Sequence, residues 1–164
     1  MKVVRTVSIP AGSDLTALYR ELAGDYMKFF KMDILCKLGF LGTELLLKPD
    51  TGRFVPREDR AVLTFSRFGC ECNDRHYSGT IDDYPSPALF VYTLPNIVSG
   101  EIAIRNHYEG ETSAFIIEEF DFERIMSIVE NVFQDRTTTS AVVAWIDCRT
   151  ETDWTCQVSL IEKQ

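Results

Sequence analysis

The 164-residue chain lacks a long apolar run: its longest, Ala141 to Ile146, is strand-sized, far short of the roughly 18 to 20 residues that span a bilayer. Membrane insertion by a helix is therefore not expected. Basic residues are too few for a polyanion partner, since 17 Lys and Arg stand against 25 Asp and Glu, a net charge of −8. Binding a phosphate backbone or an anionic membrane surface draws on clustered Lys and Arg, so no nucleic-acid or membrane partner is expected. No glycine-rich phosphate loop occurs, because Gly39 and Gly42 fall inside a helical pattern rather than in GxGxxG or GxxxxGK[ST]. Met1 to Ile9 mixes charged, polar and apolar side chains and has no signal-peptide apolar region. Histidine is scarce, with two residues, and the five cysteines (Cys36, Cys70, Cys72, Cys148, Cys156) are odd in number and scattered. A secreted disulfide scaffold is short and cysteine-dense; these thiols read as reduced, in a cytoplasmic protein.

What is present is core material. Hydrophobic residues make up 45% of the chain, enough for one domain over residues 1–164. Lys2 to Ile9 is β-rich and ends at the Pro10-Ala11-Gly12 turn. Ser13 offers an N-cap to a stripe from Leu15 through Phe30, and Asp33 caps a second, Ile34 to Leu45, which stops at Lys48-Pro49. These are two helices, or one bent one. Arg60 to Ser66 reads as a buried strand, whereas Arg67 to Pro85 is polar and without period. After Ser86-Pro87, Thr93 can cap a helix from Leu94 to Ile104. Thr112 to Ile117 is a strand-sized block. Asp121 caps a helix with a 3.6-residue stripe from Phe122 to Phe133. Thr139 to Ile146 is continuously apolar at its centre, and Trp154 to Ile161 alternates, with a closing hairpin around Asp147 to Asp153. The alternating order predicts an α/β domain: a mixed, mainly parallel sheet with helices on both faces.

Candidate chemistry is sparse. Cys70-x-Cys72 with His76 departs from the usual C-x2-4-C zinc spacing and has no fourth ligand, so no metal is expected, and nothing in the chain calls for a cofactor. Cys148 as a nucleophile would need a base beside it, and neither His76 nor His107 has a sequence context that supplies one. Glu118, Glu119, Asp121 and Glu123 cluster at a strand-to-helix junction, where the positive end of a helix favours carboxylates without any catalytic role.

Ser86-Pro87-Ala88-Leu89-Phe90, continuing through Asn96, Gly100 and Ile104 to Gly110, resembles a stretch of the β-ketoacyl synthase family, which has the thiolase fold. In that family the stretch precedes the strand delivering the catalytic cysteine. Lys31 to Gly39 is similar to the family's early helix, Arg60 to Thr64 to its next strand, and Ala141 to Asp147 to the strand after the nucleophile helix. The order is kept, but only the first half of a typical ketosynthase is covered. The resemblance therefore implies a thiolase-like N-terminal-half fold. It also places Glu119, with Glu118 beside it, about where the family has its nucleophilic cysteine. A carboxylate does not replace a thiolate for acyl transfer, and the family's paired histidines come from the half not seen here. The implied reading is a catalytically silent partner subunit in fatty-acid or polyketide-type synthesis. It would form a homodimer, or a heterodimer with a full-length ketosynthase, and could also meet an acyl carrier protein. Its dimer interface would run along Thr112, Ser113, Ala114, Phe115, Ile116 and Ile117. Two alternatives stand beside it: a homodimeric scaffold of unrelated role, and a reduced acyl-thioester enzyme with Glu118 or Glu119 as general base.

Overall fold

A computed structural model describes all residues, Met1 to Gln164. Five strands form one sheet: β1 (Lys2–Ser8), β2 (Arg60–Ser66), β3 (Thr112–Ile116), β4 (Ser140–Cys148) and β5 (Trp154–Glu162). Their spatial order is β1-β5-β4-β2-β3. β4, β2 and β3 run parallel, while β5 is antiparallel to β4 on one side and to β1 on the other. Two parallel and two antiparallel pairings thus make the mixed sheet. The hairpin between β4 and β5 turns at Arg149 to Asp153, where Arg149 N donates to Asp153 O at 2.9 Å.

Helices cover both faces, as the alternation of apolar blocks requires. On one face α2 (Ile34–Leu47) and α5 (Ile97–Asn106) pack with α1 (Leu15–Leu22) over the larger apolar cluster, which includes Leu38, Leu41, Val62, Val142 and Val158. On the other face α6 (Phe122–Val132) sets Ile125, Val129 and the following Phe133 against Leu63, Phe65 and Val143. β2 and all but one residue of β4 are buried, which explains their continuous apolar runs. α6 turns Glu123, Arg124, Ser127, Glu130 and Asn131 outward, so its outer face is polar and exposed.

Several boundaries differ from expectation for local reasons. Asp14 rather than Ser13 caps α1, accepting from Thr16 N and Ala17 N, while Ser13 Oγ donates to Pro10 O at 2.7 Å. The stripe from Leu15 to Phe30 is broken at Ala23-Gly24, where Gly24 takes φ +46, and resumes as a 3-10 turn at Met27–Lys31. The segment 67–85 contains a helix, α3 (Glu71–Ser78), that has no apolar period because only Cys72 and Asn73 are buried; Asn73 Nδ2 fixes it by donating to Leu89 O at 2.9 Å. Thr93 does not cap a helix. Ser86 caps a short α4 (Pro87–Val91), and α5 starts after Asn96. Asp33 and Asp121 cap as expected, accepting from Cys36 N and Arg124 N.

α2 carries a buried carboxylate, Glu44, only 2% exposed. Arg53 grips it through both oxygens, and Arg105 Nε donates to Oε1 at 3.0 Å while its Nη2 reaches Asp25. Two guanidiniums on one buried carboxylate make this a network in which removal of one partner strands the others. Elsewhere α2 can approach the sheet and α5 only because two positions lack a side chain. A Cβ at Gly39 would lie 2.4 Å from Val98 Cγ2, and one at Gly42 would lie 2.5 Å from Val158 Cγ2. Both valines are buried and stiff at χ1. Ala at either site gains about 1 kcal/mol in helix propensity, but the overpacking costs roughly 1–3 kcal/mol. We therefore expect Gly42→Ala to lower the urea midpoint despite its better helix former; a raised midpoint would show that α2 is not in tight contact with β5.

Candidate functional site

β3 begins where the chain passes close over the start of β2. A Cβ at Gly110 would sit 2.5 Å from Arg60 O, so only glycine admits that crossing. From there the register with β2 runs Val62↔Thr112 to Ser66↔Ile116. Val62 N donates to Glu111 O at 2.8 Å, and Ile117 N donates to Ser66 O at 3.0 Å. The odd-numbered residues therefore turn their backbone groups toward β2. Because backbone direction alternates along a strand, Thr112, Ala114 and Ile116 turn theirs outward. β3 is the last strand of the sheet, so these N–H and C=O groups have no partner strand.

The side chains sort the same way. Phe115 stacks on Phe65, with ring centroids 5.0 Å apart, and Ile117 enters the α6-side cluster. Ala114 and Ile116 lie on the opposite face. There they border an apolar niche closed by Leu35, Pro95 and Val98. The niche holds about 10 Å³, no more than roughly one water. Ile116 is 56% exposed, as are Leu94, Phe90 and Val91 to similar extents. The residues Thr112 to Ile117 thus form an exposed sheet edge, three of them presenting backbone and three anchoring it.

Beyond the edge, the turn into α6 holds Glu118 and Glu119, both exposed. Neither borders the niche, and neither borders the small apolar recess where Phe120 and Phe122 meet Val3 and Trp145. Asp121 is occupied as the α6 cap. The loop after β2 has its donors occupied too: Asp147 Oδ1 accepts from Arg67 N and Phe68 N at 3.1 Å, and Ser66 Oγ accepts from Gly69 N at 2.8 Å. Asp147 in this role was not visible in the sequence, where it read as the end of a strand and the start of a hairpin.

No cysteine stands at the β3–α6 turn, and all five are buried as free thiols. Burial pushes the Cys70 and Cys156 thiols up to about 12 and raises those of Cys36, Cys72 and Cys148, with the Asp33 carboxylate adding to the shift at Cys36, Cys70 and Cys148. Cys72 stands one helical turn before His76, but the exposed imidazole Nδ1 lies 3.7 Å from Glu151 Oε1. No group of three His, Cys, Asp or Glu side chains converges on a metal position, so Cys70, Cys72 and His76 do not assemble one. No helix is long and apolar enough to cross a membrane.

No protein-family profile and no curated protein sequence matches the chain. Solved structures do. The ishigamide ketosynthase/chain length factor superimposes with a TM-score of 0.73 at 16% identity, over 93% of this chain and 48% of that one. A chain of the ketosynthase ApeO in complex with its chain length factor ApeC, from Xenorhabdus doucetiae, gives a TM-score of 0.70 at 12% identity, over 99% of this chain and 79% of that one. AntDE:AntF, a type II PKS acyl-carrier protein in complex with its ketosynthase bound to the hexaketide, gives 0.63 at 14% identity, over 99% of this chain and 62% of that one. The likeness is one of fold: this chain has the thiolase-like fold of ketosynthase-type proteins and spans about half the length of the first of these.

A thiol whose folded pKa is raised stabilises the fold fully below its unfolded value, about 8.5, and loses that contribution as pH rises toward the folded value. The urea midpoint should therefore fall between pH 8.5 and pH 11. At pH 8 the thiols of Cys70 and Cys156 should alkylate at least a hundredfold more slowly than a free peptide thiol. Rapid modification of either in the folded protein would contradict the buried, neutral assignment.

Proposed function

We propose that this protein is a non-condensing, half-length relative of ketosynthases that serves as a binding subunit, pairing through β3 with a full-length ketosynthase in polyketide-type synthesis. The observation that carries the reading is the combination at one place of an unpaired strand edge and a following strand–helix turn without a thiol. In a condensing enzyme the helix dipole and backbone donors at such a turn hold a thiolate and receive an oxyanion; here Glu118 and Glu119 stand in solvent.

An open edge with free N–H and C=O groups is a template for another strand, and exposed Ile116 and Leu94 beside it supply apolar area. The outward face of α6 is polar and offers a partner little to bury. The solved proteins similar in fold also support a partner role, since they are ketosynthases with chain length factors and a ketosynthase with an acyl-carrier protein. One of them is a chain only about a quarter longer than this one within such a complex. An acyl carrier protein is a second expected partner of the assembly. A homodimer through the same edge is the competing assembly. The general-base reading of Glu118 or Glu119 is not favoured, because both side chains are exposed to solvent and border neither the niche nor the apolar recess.

Proline separates the functional edge from the fold. At Ala114 it removes an outward N–H and leaves the β2 ladder whole, whereas at Ser113 it deletes a ladder bond. Ala114→Pro should keep the circular dichroism of the wild type yet fail to co-elute with a full-length ketosynthase that the wild type binds. Ser113→Pro should destabilise the fold itself, and Glu119→Gln should change neither property. Purified protein should show no condensation of malonyl and acyl thioesters. Co-elution of Ala114→Pro at wild-type affinity would sink the edge-pairing claim, and turnover by the isolated chain would sink the non-condensing one.

A further inference from the structure

Arg60 opens β2, four to six residues before the β2 positions that line the niche and so roughly 13 to 20 Å away at the usual rise of a strand. Arg60 is 7% exposed. Its Nε donates to Ser140 Oγ at 3.0 Å and its Nη1 to Tyr108 Oη at 3.1 Å, while the guanidinium lies over the Tyr108 ring. These partners are neutral, and none of the protein's ion pairs within 4.0 Å involves Arg60. A buried charge is normally matched by a counter-charge, because desolvation is otherwise expensive. The other largely buried arginines follow that rule: Arg53 and Arg105 share Glu44.

Arg60 is the exception, and it borders a polar cleft. The cleft has a volume of about 340 Å³ and is lined by Pro49, the Thr51-Gly52 turn, three arginines (Arg53, Arg57 and Arg60) and one carboxylate, Asp50. Asp50 is already paired with Arg5 at 2.8 Å, and Arg57 with Asp59 at 2.8 Å. Arg60 Nη2 makes no hydrogen bond and is not among the fully buried unpartnered atoms, so it retains contact with the open space the cleft provides. Thr51 N and Gly52 N make no backbone hydrogen bond. Arg53 is already engaged by Glu44 and Asn106, which leaves Arg60 Nη2, Arg57 Nη1 and the two amides as open donors; donors from several groups suit a multivalent oxyanion such as phosphate, whose tetrahedral oxygens accept from more directions than a carboxylate's.

We propose that this cleft is a binding site for a phosphate group, either the free ion or the terminal group of a small phosphomonoester, and that the ligand supplies the counter-charge Arg60 lacks. The site is independent of the β3 edge, so its failure leaves the partner reading untouched.

The test is isothermal titration with inorganic phosphate, glycerol 3-phosphate and acetate at matched ionic strength. Saturable phosphate binding with no acetate binding is expected; tighter glycerol 3-phosphate identifies a monoester site, and equal affinity identifies the free ion. Arg57→Gln, whose side chain is partly exposed, should weaken phosphate at least fivefold, and Asp50→Asn should tighten it severalfold by removing the one repelling carboxylate. Arg60→Gln should abolish binding; if it does not fold, the other two variants decide. Absence of saturable phosphate binding, equal binding of acetate, or unchanged affinity in both Arg57→Gln and Asp50→Asn would overturn the proposal.

Discussion

The parallel pairing of β3 with β2 is the constraint on which the rest of the structure turns. Its register directs the backbone groups of the odd-numbered β3 residues inward. Once they are bonded, the even-numbered groups can be satisfied only by water or by a strand from outside the chain. Gly110 makes the pairing possible by letting the chain cross Arg60 O, and Phe115 on Phe65 holds the strand flat on the sheet. Because β3 ends at the edge, the turn into α6 also lies at the margin of the sheet, where its carboxylates remain in solvent.

That geometry separates two properties which a condensing enzyme combines. The frame that would present a nucleophile is complete: strand, turn and capped helix follow one another. No thiol stands at that turn: the five cysteines lie elsewhere in the interior, where burial raises their pKa values. Asp147 and Ser66 consume the amides that follow β2, so those donors are structural. On the proposed reading the neighbourhood of β3 serves recognition through backbone and apolar contact, and the polar outer face of α6 would confine that contact to the edge.

Much of this was legible in the residues. β2 and β4 announced themselves by unbroken apolar runs, α6 by its clean period, and Asp33 and Asp121 by their positions ahead of such periods. α3 was not legible because it is held by one side-chain hydrogen bond from Asn73 instead of an apolar stripe. α1 started one residue late because Ser13 and Asp14 are both competent caps, and Ser13 is drawn back to Pro10 O. The strand expected over Thr112 to Ile117 is β3, Thr112–Ile116, but its place at the sheet edge and the division of its residues into inward and outward needed the β2 register. The ring of arginines around Asp50 could not be seen either, since Arg60 meets Tyr108 and Ser140 only through the tertiary fold.

The most direct measurement is residue-resolved amide hydrogen exchange along β3, free and in complex with a full-length ketosynthase, the proposed partner. The account predicts that Ala114 and Ile116 exchange fast in the free protein and become protected in the complex, while Ser113 and Phe115 are protected in both. Continued fast exchange at Ala114 and Ile116 within a stable complex, with new protection on the outward residues of α6, would contradict it.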